Sequence, residues 1–211
     1  SLLLLCATCF YVIAISYIPL TTAASISFTS PLMVVALSAP ILGERVGIHR
    51  WIAVIFGFIG ALIIIRPSSD STHWSVFLVL GTAACYAMYQ IMTRALAAHD
   101  EAETTTIYSA FVGMAVMSAI LPFYWVTPSG WLQWSLPLSL GATGGFGHYL
   151  VIKAYQYGPA AVIAPFGYFQ LIGATIFGYF VFSDFPDKWT WLGAGVIIGS
   201  GLYITYRESR Y

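Results

Sequence analysis

The chain has 211 residues, 59% of them hydrophobic and 8% charged, and its 8 Lys+Arg balance its 8 Asp+Glu. A soluble domain carries roughly 25% charged residues, so this composition excludes a soluble enzyme and a disordered chain, and the absence of a basic face excludes a nucleic-acid partner. Three cysteines (Cys6, Cys9, Cys85) are too few for a disulfide framework, and what remains is a polytopic protein of the lipid bilayer.

A membrane helix needs about 20 mostly apolar residues. Eight such runs are predicted, over residues 2–18, 21–42, 51–65, 74–93, 105–126, 136–157, 160–182 and 189–206. They are continuously apolar rather than alternating, so helices and not barrel strands are expected. The first span holds Cys6-Ala7-Thr8-Cys9, a CxxC that in an apolar helix packs rather than exchanges disulfides. Tyr11 lies midway along it, and Pro19 makes a short hairpin to the second span. There Thr22, Ser25 and Thr29 share a face. Pro31 is expected either to kink this helix or to break it and expose backbone to a substrate, as is Pro165 early in the seventh.

The third span carries a small-residue face, Ala53, Gly57 and Ala61, and the eighth carries Gly195 and Gly199. Such faces let helices approach closely. Packing within the bundle is the default reading, with a homodimer seam on these two spans as the alternative. Tyr86 and Gln90 share a face of the fourth span, and the sixth places Gly141, Gly144, Gly145 and His148 together. On the seventh, Tyr168, Thr175 and Tyr179 share a face, and Gln170 stands beside Gly173.

Orientation follows the positive-inside rule. One side receives Arg45, Arg50, Arg94, Lys153, Arg207 and Arg210, the other only Arg66 and Lys188, which predicts a cytoplasmic C-terminus. Trp74, Trp125, Trp131, Trp134, Trp189 and Trp191 collect at span ends on the second side, as an interfacial belt would.

Slid against itself by 140 residues without a gap, the chain aligns Pro19 with Pro159, Tyr17 with Tyr157, Glu44 with Asp184 and Trp51 with Trp191. The second span then falls on the seventh, five spans on, so the two copies run oppositely through the membrane. Inverted repeats of this kind mark secondary transporters. The same offset predicts first-copy partners of the fourth and fifth spans upstream of Ser1. The chain is thus expected to be an all-α remainder of a ten-helix bundle, with residues 1–67 an incomplete first repeat and 73–211 a five-helix second repeat. Ser1 opens directly on an apolar run without the charged start of a signal peptide.

The stretch from Phe28-Thr29-Ser30-Pro31-Leu32 to Leu42-Gly43-Glu44-Arg45-Val46 resembles the EamA domain of the drug/metabolite transporter superfamily. So do Trp51 to Pro67 with Gly57 and Gly60, and Ala160–Pro165 with Ser183-Asp184. Asp184 where glutamate is usual, and Leu171 opposite Pro31, are mild departures. The resemblance covers the family's third to tenth spans. It implies a carrier of small metabolites with a central cavity and alternating access in the bacterial inner membrane.

Polar groups within a bilayer are costly and therefore informative. No Asp or Glu lies inside a predicted span, and His148 is the sole titratable group well inside one. It is read either as a substrate ligand or as a hydrogen-bonding partner of a neighbouring helix. Lys153 either holds a carboxylate or, the preferred reading, snorkels to the interface. The predicted substrate-binding set is Tyr11, Ser25, Thr29, Tyr86, Gln90, His148, Tyr168 and Gln170, lining an open groove. For the hydroxyls the competing reading is bonding back to their own helix. No nucleotide loop and no metal-ligand spacing appears, so neither cofactor nor metal is expected. The favoured function is secondary transport of amino acids, their derivatives or S-adenosylmethionine-like compounds. An intramembrane enzyme using His148, or a non-catalytic membrane assembly subunit, are the alternatives. The enzyme would need a second catalytic group within reach.

Overall fold

The computed structural model describes residues 1–43, 47–65, 73–182 and 187–208. Glu44, Arg45, Val46, Arg66, Pro67, Ser183, Asp184 and Arg210 lie outside the described residues, as do the side chains of Arg50, Pro165, Tyr168, Leu171 and Thr175.

The described residues form helices without strands: α1 (Leu2–Ile15), α2 (Leu20–Ser27), α3 (Thr29–Leu42), α4 (Ile48–Ile65), α5 (Ser75–Leu96), α6 (Ala102–Ile120), α7 (Trp131–Tyr157), α8 (Ala160–Ile163), α9 (Gln170–Phe182) and α10 (Lys188–Glu208). Three stretches, Thr22–Leu42, Ser75–Leu96 and Ala102–Phe123, are long and apolar enough to cross a membrane by length and composition. Leu2–Ile15 and Trp51–Ile64 are shorter apolar helices. At about 1.5 Å per residue, α7 alone is about 40 Å long.

The second predicted span is two helices rather than one. The interruption falls at Phe28, three residues before the proline expected to cause it. Pro31 is the third residue of α3, and it has no N–H for the carbonyl four residues back, at Ser27, where α2 ends, so the chain restarts as a new helix with the proline in its first turn. The Thr29 hydroxyl donates back across the break to the Ile26 carbonyl at 2.9 Å. At the far end of α3, Gly43 takes the left-handed conformation (φ 68°) that closes a helix without a Cβ clash. The seventh predicted span is also interrupted, by a 3₁₀ stretch over Ala164–Phe169 between α8 and α9.

The bundle centres on the pairing of α4 with α10 and of α1 and α3 with α5. The α4–α10 crossing is a backbone contact. A Cβ added at Gly60 would stand 2.8 Å from the Gly193 carbonyl oxygen, and one added at Gly193 would collide with the Gly60 carbonyl oxygen. The small residues Ala53 and Ala61 are buried in this seam with Val54, Ile64, Ala194 and Ile197. A second apolar cluster gathers Val34, Ala87, Ile91, Tyr155, Ala160 and Ala164 where α3, α5, α7 and α8 meet.

Polarity is turned inward. Ser25, Thr29, Ser38 and Gln90 are buried, while Phe56, Phe111, Leu138, Phe146 and Phe180 lie at the surface. Only a lipid surround makes that distribution favourable, because lipid rewards apolar exposure and cannot solvate a hydroxyl. Several hydroxyls are satisfied within their own helix, as with the part-buried Ser27 on the Ala23 carbonyl and the buried Ser38 on the Val35 carbonyl, both at 2.9 Å. Thr82 also reaches another helix, donating to the Ala7 carbonyl at 3.2 Å and tying α5 to α1.

Candidate functional site

Helix α5 lays Tyr86, Tyr89, Gln90, Thr93 and Arg94 along one side, at the three- and four-residue spacings that stack side chains over successive turns. Helix α7 faces it with His148 and, seven residues and two turns further, Tyr155. Three rings converge between the helices. Tyr86 and Tyr89 stack with centroids 6.0 Å apart, and His148 meets both edge-on, 6.2 Å from Tyr86 and 6.1 Å from Tyr89. Such edge-to-face packing sets the positive rim of one ring against the negative face of the next.

Two hydrogen bonds hold the helices in register beside these rings. The Tyr155 hydroxyl donates to the Gln90 side-chain oxygen. One turn on, the Arg94 guanidinium donates to the Tyr155 carbonyl at 2.8 Å. That carbonyl lies in the last turn of α7, where carbonyls lack intrahelical partners and the helix dipole favours a cation. Earlier on α7, the Lys153 ammonium donates to the Tyr149 hydroxyl at 2.9 Å, and that hydroxyl donates to Glu103 Oε1 at 2.8 Å. Lys153 therefore sits in a polar chain linking α7 to α6. The Gln156 side chain adds a bond to the Asp100 carbonyl at 3.2 Å.

Two polar atoms of the ring cluster have no hydrogen-bond partner. Tyr89 is 3% exposed and its hydroxyl is unpaired, with the Thr93 and Ser109 side chains close but outside hydrogen-bond geometry. His148 Nδ1 is likewise buried and unpaired. On the turn of α7 preceding His148, Gly144 and Gly145 lie at the surface, where a Cβ would meet nothing within 4 Å.

The residues singled out by sequence thus separate. Tyr86, Gln90 and His148 come together. Tyr11 is half-buried against the larger apolar cluster, which also takes in residues of α1, α2, α3 and α5, and Ser25 and Thr29 are fully buried about the α2–α3 break. Gln170 is exposed at the start of α9. Tyr89 and Tyr155 belong to the cluster although the sequence did not single them out. The seven-residue spacing from His148 to Tyr155, and the place of Tyr89 between Tyr86 and Gln90, were the available signals. Among the described residues no group of three or more His, Cys, Asp or Glu could hold a metal ion.

The family model described as the EamA-like transporter family matches residues 1–66 and 73–206. An S-adenosylmethionine uptake transporter of Rickettsia prowazekii is 32% identical over 192 residues, covering 91% of this chain and 65% of that protein. The chain therefore spans about two-thirds of the length of such relatives. A riboflavin transporter of Vibrio cholerae is 31% identical over 205 residues, covering 93% of this chain and 66% of that one. A pseudopaline exporter of Pseudomonas aeruginosa is 30% identical over 193 residues, covering 89% and 66%. A solved crystal structure superposes with a TM-score of 0.68 at 20% identity, covering 96% of this chain and 74% of that one, a likeness of fold.

Proposed function

The chain belongs to the EamA-like transporter family, and on that premise we propose that it carries small organic metabolites, amino acids or related compounds, across the bacterial inner membrane by alternating access. Membership places it among multi-pass membrane transporters and not among enzymes. Relatives named for S-adenosylmethionine uptake, riboflavin transport and pseudopaline export support a small-molecule cargo. The carrying observation is the Tyr86–Tyr89–His148 cluster: uncharged polar groups, two of them unpaired, inside a bundle whose surface is apolar. Substrate sites of this kind combine apolar walls with a few convergent polar groups.

Alternation is carried in this reading by two inverted repeats, residues 1–67 and 73–211, that make up eight spans. Helix boundaries 140 residues apart support it. Helix α2 starts at Leu20 and α8 at Ala160, and α4 starts at Ile48 and α10 at Lys188. The repeats meet along α4 and α10, and the partition of Lys and Arg sets the C-terminus in the cytoplasm. Tyr11, Ser25, Thr29, Tyr168 and Gln170 complete the proposed substrate path around the cluster. The test is counterflow in proteoliposomes preloaded with S-adenosylmethionine, riboflavin or an amino acid. Accumulation of the labelled form of at least one supports the reading, and failure of all of them overturns it.

A further inference from the structure

We infer that the Tyr86–Tyr89–His148 cluster is a subsite for a neutral, planar nitrogen heteroaromatic group, read by the Tyr89 hydroxyl and His148 Nδ1. The inference rests on the transport reading above and assigns the part of the cargo that this cluster recognises.

Several buried hydroxyls of this bundle, Thr29, Ser38 and Thr82 among them, bond to backbone carbonyls three or four residues back, at no cost to the fold. Three described buried side-chain atoms lack a partner, Ser30 Oγ, Tyr89 Oη and His148 Nδ1, and the last two belong to rings in mutual contact. An unpaired buried polar atom destabilises the protein that holds it. Two on adjacent rings, where phenylalanine would pack as well, indicate groups kept for a ligand rather than for the fold.

Their chemistry limits that ligand. A phenol and an imidazole nitrogen can each donate or accept, so together they address an edge that alternates ring nitrogens with carbonyl or amino groups. The cluster contains no acid, lysine or arginine. Arg94 is committed to the Tyr155 carbonyl and Lys153 to Tyr149. A carboxylate or an ammonium group would find no counter-charge, whereas a flat ring finds the half-buried ring of Tyr86 to pack on while its edge meets Nδ1 in the plane of the imidazole. One turn before His148, Gly144 and Gly145 present no side chain and leave the surface of α7 open for an approaching ring. The Gln90–Tyr155 bond ties α5 to α7 beside the rings.

The test measures binding of adenosine, riboflavin and S-methylmethionine to the purified protein and its Tyr89→Phe variant. S-methylmethionine keeps the sulfonium and amino-acid groups of an S-adenosyl compound but has no ring. Adenosine or riboflavin should bind, and S-methylmethionine should not at the same concentrations. Tyr89→Phe should weaken the ring-bearing probe roughly three- to tenfold while leaving the melting temperature of the ligand-free protein equal or higher. Three results overturn the inference: neither ring-bearing probe binds, S-methylmethionine binds as tightly as they do, or Tyr89→Phe leaves their affinity unchanged. Counterflow of the same probes separates the two readings. A ring that binds in a Tyr89-dependent way but is not exchanged across the membrane removes the transport reading alone, and exchange of S-methylmethionine as fast as of adenosine removes this inference alone.

Discussion

Gly193→Ala should loosen the contact between α4 and α10. The added Cβ would collide with the Gly60 carbonyl oxygen and stand 2.5 Å from Ile64 Cγ1. Ile64 can change rotamer, but the Gly60 carbonyl belongs to a helix ladder and cannot. Ordinary carbon contacts lie near 3.5 Å, so the helices must part by about 1 Å at the crossing. A gap of that size forfeits a quarter to a half of each contact's attraction, and Ala53, Ala61, Ala194 and Ile197 share the seam. Overpacking of this kind costs about 1–3 kcal/mol, against a helix-propensity gain of about 1 kcal/mol for replacing glycine. A net loss of up to about 2 kcal/mol is expected, visible as a lower melting temperature in detergent. Gly195→Ala, two residues along where a Cβ meets nothing within 4 Å, is the control and should not lower it. Equal melting temperatures for the two variants would refute the close crossing. The double variant Gly60→Ala/Gly193→Ala should cost less than the sum of its parts, since either methyl alone opens the same gap.

Tyr155→Phe strips the Gln90 oxygen of its donor in a buried setting and should cost about 1–2 kcal/mol, the opposite sign from Tyr89→Phe; a thermal-shift comparison of the pair reads both. His148→Ala should cut metabolite uptake at unchanged expression and folding, and full uptake by this variant would return His148 to a packing role. A fluorescent reporter that folds only in the cytoplasm should light when fused after Tyr211, with alkaline phosphatase at the same place silent; the reverse pattern would invert the proposed topology.

The helices were legible because lipid demands unbroken apolar runs, and their ends because glycine and proline punctuate them. Gly43 and Pro19 stand at such ends. The break at Phe28 was legible from Pro31, because proline offers no N–H to the carbonyl four residues back, at Ser27, and α2 ends there. The site was half legible. Helical spacing linked Tyr86 to Gln90 on one helix, but only folding brings His148 across from another to touch Tyr86 and Tyr89. Tyr155 read as one more apolar aromatic, since nothing local reveals that its hydroxyl faces Gln90. Thr29, by contrast, spends its hydroxyl on its own backbone, the alternative reading that its sequence context allowed.

The most direct test of a substrate passage beside His148 is labelling of Gly144→Cys, one turn before it on α7, in a background with Cys6, Cys9 and Cys85 replaced. A membrane-impermeant maleimide reacts only where water reaches the thiol. Alternating access predicts labelling from either face of the membrane, slowed by a transported metabolite. Labelling from neither face would mean that this side of α7 meets lipid, and would contradict a passage there.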